Sequence, residues 1–232
     1  MAPELPPVCI LAGGRGTRLG DAVAETPKPL LAVAGKPFIV HQLQLLRSFG
    51  ARRIVLSVGY LGDQFEATLG DGSQHGVEIS YVYDGPELLG TAGAVRGCLS
   101  ELGDAFLVMY GDTYLPIDYR AVHAAFEAAG QPALLTVLHN AGRWDVSNTE
   151  VRDGKVIAHD KQEPTAAMEW IDYGLSVLSP EALGASGDPD LSVVFKVLAQ
   201  RGELAAYTAT ERFHEIGSPA ALAETDRFLR SR

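Results

Sequence analysis

Leu11-Ala12-Gly13-Gly14-Arg15-Gly16-Thr17-Arg18-Leu19, followed by Pro27-Lys28-Pro29-Leu30, is the stretch on which the reading of this chain turns. Val8-Cys9-Ile10 just ahead of it is a short apolar run and predicts a buried strand. Three glycines and a threonine build no core. Glycine lets the backbone turn tightly and lets another group come close to its N–H donors. Successive N–H groups in such a turn form a concave anion site. Arg15, Arg18 and Lys28 add positive charge around the same turn. Strand, glycine turn and clustered cations together predict a cradle for a polyphosphate.

Two familiar phosphate motifs fail on these residues. A dinucleotide fingerprint needs G-x-G-x-x-G, but Leu19 stands where its third glycine belongs and Gly20 comes one place late. A Walker loop needs G-x-x-x-x-G-K-[ST], but Pro37 follows Gly35-Lys36 and Leu30 stands at its first glycine. What remains is G-G-x-G-T-R-L with P-K-P downstream. This pairing resembles the signature of the sugar-1-phosphate nucleotidylyltransferases, and it is specific only when both halves occur together.

Composition narrows the rest. The 232 residues carry a formal net charge of −10, which argues against nucleic acid as a partner. Residues 1–60 nevertheless hold seven Lys/Arg and three Asp/Glu. The glycine turn thus lies in the one basic part of an acidic chain, where a nucleoside triphosphate would be accepted. A divalent cation would lower the remaining repulsion, so Mg²⁺ is expected. No apolar run approaches the ~18 residues of a membrane span, and Met1 to Pro7 lacks the pattern of a secretory signal. The cytoplasm is the expected location, with no membrane partner. Cys9 and Cys98 sit in apolar patterns and read as core thiols.

Along the first half, strands are predicted at Arg53–Val58, Val77–Tyr83 and Ala105–Tyr110, alternating with helices over Pro37–Phe49, Leu61–Leu69, Thr91–Leu102 and Asp118–Ala129. In the second half Ala133–His139, Lys155–His159, Ile171–Leu178 and Ala205–Ala209 read as strands, and Leu191–Gln200 and Ala220–Leu229 as helices. The expected fold class is α/β: a Rossmann-like three-layer α/β/α sandwich with a mostly parallel central sheet and a small antiparallel flap in the second half. One domain over residues 1–232 is expected. No glycine-punctuated hexapeptide repeat occurs, so no left-handed β-helix is expected.

In open α/β sheets ligands bind at the carboxyl ends of strands. Gly13-Gly14, Gly59-Tyr60 and Gly111-Asp112 all fall at such ends, and Leu89-Gly90-Thr91-Ala92-Gly93-Ala94 opens a helix whose N-terminus would let a base or phosphate come close. Asp112 alone reads as a metal ligand or as a turn aspartate.

The resemblance decides for metal at Asp112 and points to a second carboxylate, Glu215 in Phe213-His214-Glu215-Ile216-Gly217, where the family usually carries aspartate. It implies that Leu11, Ala12, Gly13, Gly14, Arg15, Gly16 and Thr17 bind nucleotide phosphates, with Arg18 and Lys28 as catalytic cations. Gly59, Asp84, Gly90 and Thr91 are implied at the nucleotide. Lys161, in His159-Asp160-Lys161-Gln162-Glu163-Pro164, is similar to the family's E-K-P lysine and is implied, with Gly111, Tyr173 and Gly174, at the sugar phosphate. Tyr173 would stack on or bond the sugar. Trp144-Asp145-Val146-Ser147-Asn148 reads either as a reader of sugar hydroxyls or as a surface turn.

The implied partners are an NTP and a sugar 1-phosphate, and the implied assembly a homodimer. Leu56–Tyr60 and Leu89–Ala94 resemble the enzymes that act on D-glycero-D-manno-heptose 1-phosphate with GTP, and also the N-acetylmuramate 1-phosphate uridylyltransferases; the heptose type is preferred. A glycosyltransferase would need a D-x-D motif that Asp112-Thr113-Tyr114 does not supply, and a nucleotide-sensing module would not keep Arg18 and Lys28.

Overall fold

The computed structural model describes residues 4–14, 25–59, 61–85, 87–140 and 142–232. The glycine-turn residues Arg15, Gly16, Thr17 and Arg18 lie outside the described residues.

The first strand, β1 (Val8–Leu11), is apolar throughout because it is central: it pairs in parallel with β4 on one side and β6 on the other. The short strands β2 (Ala32–Val33) and β3 (Lys36–Pro37) form a hairpin that leads into α1 (Phe38–Ser48). Then come β4 (Arg53–Val58), α2 (Asp63–Leu69), β5 (Glu78–Tyr83), α3 (Gly90–Gly97), α4 (Leu99–Leu102) and β6 (Phe106–Tyr110). The helix predicted over Thr91–Leu102 is thus two helices, joined at Cys98. A two-residue strand β7 (Thr113–Tyr114) precedes α5 (Tyr119–Ala129), which Asp118 caps by accepting from the N–H groups of Arg120 and Ala121.

The second half supplies β8 (Ala133–His139), β9 (Thr149–Arg152), β10 (Lys155–His159), β11 (Trp170–Leu178), α6 (Leu191–Arg201), β12 (Leu204–Ala209), β13 (His214–Glu215) and α7 (Pro219–Arg230). One sheet of nine strands runs in the order β5-β4-β1-β6-β11-β8-β12-β10-β9. Its first four strands are parallel. β11 then enters antiparallel between β6 and β8, while β12 runs parallel to β8 and antiparallel to β10.

The sheet is therefore mixed, and the expectation of a mostly parallel sheet is corrected. The main reason is long-range, the antiparallel entry of β11 between β6 and β8; at the far edge the reason is local. β9 and β10 are joined by two residues, Asp153-Gly154, both at positive φ (50° and 73°), a turn that folds a strand straight back on itself. The antiparallel strands form no separate flap; they extend the main sheet to its far edge.

Side-chain alternation along β1 divides the core. Val8 and Ile10 join a cluster with α1, α2 and α5; Cys9 faces a second cluster with α3, α4 and α6. Cys9 and Cys98 are buried free thiols in that second layer. A third cluster, Val33, Phe38, Tyr114 and Ile216, packs against Leu222, Phe228 and Leu229 of α7. It lies beneath the pairing of β7 with β13, which brings the late chain to the end of β6. Among the described residues no helix is long and apolar enough to cross a membrane.

Candidate active site

At the carboxyl edge of the parallel strands lies a cavity of about 300 Å³. Its floor follows from how β1 ends. Ala12 N donates to Ser57 O at 2.8 Å and Gly111 N donates to Leu11 O at 3.0 Å, so the chain stays wedged between its neighbours until Gly13. A Cβ at Gly13 would meet Asp84 Oδ2 at 2.7 Å and Gly59 N at 3.3 Å, so its absence lets the turn sit against that carboxylate as the structure has it. Gly59 packs directly against Gly13, behind the cavity wall. Gly111 allows a second close approach. A Cβ there would meet Pro29 at 3.0 Å, so its absence lets the Lys28-Pro29 turn close on β6.

The cavity gathers many of the predicted residues from distant parts of the chain. Leu11, Ala12, Gly13 and Gly14 come from β1 and its exit, Lys28 from the turn before β2, and Asp84 from the end of β5. Gly90 and Thr91 come from α3, and Asp112 follows β6. Lys28 Nζ donates to Asp112 Oδ2 at 2.9 Å. The lysine side chain is 10% exposed and the carboxylate 30%, so the carboxylate is the end that a ligand can reach. Asp112 Oδ1 also accepts from Thr113 Oγ1 at 3.1 Å. Deeper in, Asp84 Oδ1 accepts from Ser57 Oγ at 3.0 Å. Burial pushes the Asp84 carboxyl above the usual carboxylate range, and the Ser57 hydroxyl partly offsets this.

The helix N-terminus behaves differently from expectation. The N–H groups of Ala92 and Gly93 already donate to Pro189 O, at 2.7 and 3.3 Å. The Thr91 hydroxyl accepts from Leu191 N and donates to Asp190. The Ala92 and Gly93 N–H groups and the Thr91 hydroxyl are thus used within the fold. Gly90 and Thr91 remain in the cavity wall.

The residues present fit a hard divalent cation. β13 pairs with β7, setting Glu215 opposite Thr113, and Ile216 N donates to Asp112 O at 3.0 Å. The Glu215 carboxylate folds over Gly217, where a Cβ would meet Oε2 at 2.8 Å. The strand pair thus brings the backbone of Glu215 beside that of Asp112, but Glu215 is not in the cavity lining to which Asp112 contributes; one or two carboxylate oxygens suit Mg²⁺, which keeps several waters. Among the described residues no group of three or more His, Cys, Asp or Glu forms a fuller cage. His214 stacks on Phe228, ring centres 3.6 Å apart, as packing.

The residues predicted at the sugar phosphate separate. Lys161 does not line the cavity; its Nζ donates to Asp172 Oδ2 at 2.8 Å. The Asp172 carboxylate raises the Lys161 ammonium above its ordinary range, and burial only partly opposes it. Tyr173 is corrected outright. It is 1% exposed, packs edge-on against Phe213 and belongs to the α1–α5 core layer. Alternation along β11 sends it to the face opposite Asp172. Gly174, at φ +92°, lies where the register of β11 against β8 slips. In the β8–β9 loop, Trp144 is covered by the Arg143 and Arg212 guanidinium groups, 4.6 and 5.9 Å from its ring.

Several residues escaped the sequence reading. Tyr110 and Ser57 line the cavity from strand ends that looked like plain core. Gln42, 1% exposed on α1, donates from Nε2 to Tyr110 O at 2.9 Å and Thr113 O at 2.8 Å, bracketing Asp112. Its signal was available: one amide on a helix face otherwise made of Ile39, Leu43 and Leu46. Asp172 had a signal too, as a carboxylate between Ile171 and Tyr173 in a buried strand.

Comparison with known proteins bears on the family and the fold. The family model described as the MobA-like NTP transferase domain matches residues 8–217. A curated relative, the N-acetylmuramate alpha-1-phosphate uridylyltransferase of Neisseria meningitidis serogroup B, is 46% identical over 121 residues, covering 52% of this chain and 51% of that protein. The mannose-1-phosphate guanylyltransferase catalytic subunit beta of Xenopus tropicalis is 27% identical over 219 residues, 90% of this chain and 61% of that protein. The chain thus spans about half to three-fifths of the length of the curated relatives it matches. The crystal structure of HddC from Yersinia pseudotuberculosis shares the fold, with a TM-score of 0.79 at 24% identity over 97% of this chain and 100% of that one.

Proposed function

The chain belongs to the MobA-like NTP transferase family, and from that premise we propose that it transfers a nucleotidyl group from an NTP to a sugar 1-phosphate, releasing pyrophosphate. The observation that carries this reading is Lys28 at 2.9 Å from Asp112, across 84 residues of chain, at the wall of a cavity floored by Gly13 and Gly14. A sugar-phosphate oxygen attacks the α-phosphorus in line, the new P–O bond forms, and the bond to the pyrophosphate oxygen breaks. The nucleophile is already an anion near neutral pH, so no general base is needed. Alignment and charge stabilisation carry the rate.

In this reading Lys28 offsets charge at the α-phosphate, the Gly13-Gly14 turn accepts the triphosphate, and Asp84 with Ser57 meets the nucleoside. Arg18 is proposed as a second cation on the same tail. Asp112 and Glu215 would hold Mg²⁺, which when bound offsets phosphate charge. Lys161 receives the sugar phosphate. UTP is the preferred donor, on the 46% identity to a uridylyltransferase. GTP with a heptose or mannose 1-phosphate is the second reading, on the guanylyltransferase aligned over 90% of the chain.

The test is pyrophosphate release with UTP, GTP, CTP, ATP and dTTP, each against N-acetylmuramate, mannose, glucose and heptose 1-phosphates. Release that needs both substrates is expected. No release with any pair, or transfer of sugar from a nucleotide sugar, would overturn the reading.

A further inference from the structure

Lys161 lies in the turn after β10, and that turn is fixed from outside the cavity. Asp160 N donates to Asn148 O at 2.9 Å. Asp160 Oδ1 accepts from the N–H groups of Gln162 and Glu163, and Oδ2 from Lys196 of α6 at 2.6 Å. His159, just before, is buried and bonded through both ring nitrogens, to Thr149 and Ser192. The backbone of Lys161 is therefore held. What remains mobile is a long stem carrying a charge, and a free lysine of this kind samples many rotamers.

Asp172 removes that freedom. Its side chain is 4% exposed, against 40% for Lys161. Oδ1 accepts from Gly174 N at 2.9 Å, and Asp172 N donates to Asn148 Oδ1 at 3.1 Å. Anchored in this way, the carboxylate cannot swing out to a ligand. A desolvated carboxylate in a buried strand is costly without a cationic partner. Packing alone would be served as well by an amide or a leucine, so the charge itself calls for a reason. Asp172 shares a small void with Tyr110, and Tyr110 is also a wall of the main cavity.

We propose that Asp172 is a positioning residue for Lys161, holding its ammonium beside Tyr110, which itself lines the main cavity, with donors to spare for the phosphate of the incoming sugar 1-phosphate. An ammonium has three donors, and Asp172 takes one. This rests on the reading above that Lys161 receives that phosphate. A prepaid orientation lowers the ordering cost of binding, so its loss falls on sugar-phosphate affinity and not on the nucleotide.

The experiment is a double-mutant cycle on the full chain: wild type, Asp172→Asn, Lys161→Met and the double variant, assayed with the best substrate pair of the panel. KM is measured separately for the NTP and the sugar 1-phosphate. Asp172→Asn is expected to raise KM for the sugar 1-phosphate about tenfold or more, leave KM for the NTP unchanged, and add nothing in the Lys161→Met background. An equal effect in both backgrounds, or equal rises in both KM values, overturns the proposal. A wild-type sugar-phosphate KM in Lys161→Met overturns instead the reading of Lys161. If circular dichroism shows Asp172→Asn unfolded at the assay temperature, Asp172→Glu takes its place in the cycle under the same criterion.

Discussion

Two lysine–aspartate pairs stand at the carboxyl edge of the sheet, and they are built in opposite senses. Lys28–Asp112 and Lys161–Asp172 are nearly equal in length, 2.9 and 2.8 Å. In the first the lysine is the buried partner, 10% exposed against 30% for the aspartate. In the second the aspartate is buried, 4% against 40%. The buried member fixes the pair, and the more exposed member is the end with the freer approach, although Lys28 too reaches the cavity lining. The first presents a carboxylate and suits a cation; the second presents an ammonium and suits an anion. One contact type thus serves two substrate charges through a difference in which end is desolvated.

The first pair is expected to be the more sensitive. Lys28→Ala should lower kcat about 1,000-fold, because it removes a preorganised charge at the reacting phosphate. Its fold should persist, since Asp112 can be hydrated. Pyrophosphate release and circular dichroism check both halves. Near-normal turnover would remove Lys28 from the chemistry. Asp112→Asn should lower activity about 100-fold and move the Mg²⁺ titration to higher concentration. The direct measurement is Mn²⁺ binding in the absence of sugar phosphate. Unchanged Mn²⁺ affinity would place the cation elsewhere and undo the assignment of the first pair.

The second pair makes a prediction in pH. In the native protein burial pushes the Asp172 carboxyl up, but the charge and hydrogen bond of the Lys161 ammonium, with His159 and the Gly174 N–H, together hold the group below its ordinary range. A depressed carboxylate contributes stability above its unfolded pKa of about 4 and loses it as pH falls through the folded value. In Lys161→Met the burial, the largest single influence, is opposed only by the Gly174 N–H and by His159, so the same carboxyl should titrate higher than in the native protein. Its cost, about 3 kcal/mol or more at neutral pH, should be relieved as protonation sets in. The stability gap between the two proteins should therefore narrow from about pH 8 to about pH 4. Denaturant midpoints across that range measure it. A gap that ignores pH would show that the pair contributes nothing to stability.

How much of this was legible in the sequence differs between the same two regions. The first rests on local pattern: an apolar strand, a glycine turn, P-K-P, and a G-D after another apolar strand, each readable within a few residues. The parallel half of the sheet followed from the same signals, with β4 at its predicted bounds. The second region depends on long-range pairing. Nothing near Lys161 indicates that β11 will enter antiparallel between β6 and β8, yet that placement is what sets Asp172 beside it. The strand β13 is two residues long, and its pairing with β7 is accompanied by the packing of α7 against Tyr114 and Ile216. The pairing of Asp153-Gly154 as a strand reversal was readable from the dipeptide alone, and it would have indicated the antiparallel edge.

The smallest expected effect lies one residue from Asp172. Tyr173 was expected at the sugar, and strand alternation instead turns it into the core, where its hydroxyl has no hydrogen-bond partner among the described residues. A buried unpartnered hydroxyl costs stability without returning a bond, so removing it should be neutral or favourable. Tyr173→Phe should keep both KM values and raise stability by at most about 1 kcal/mol. A sugar-phosphate KM raised by this variant would mean that β11 presents the opposite face to the cavity. Asp172 would then point away from Lys161, and the second pair would be lost along with the contrast it supports.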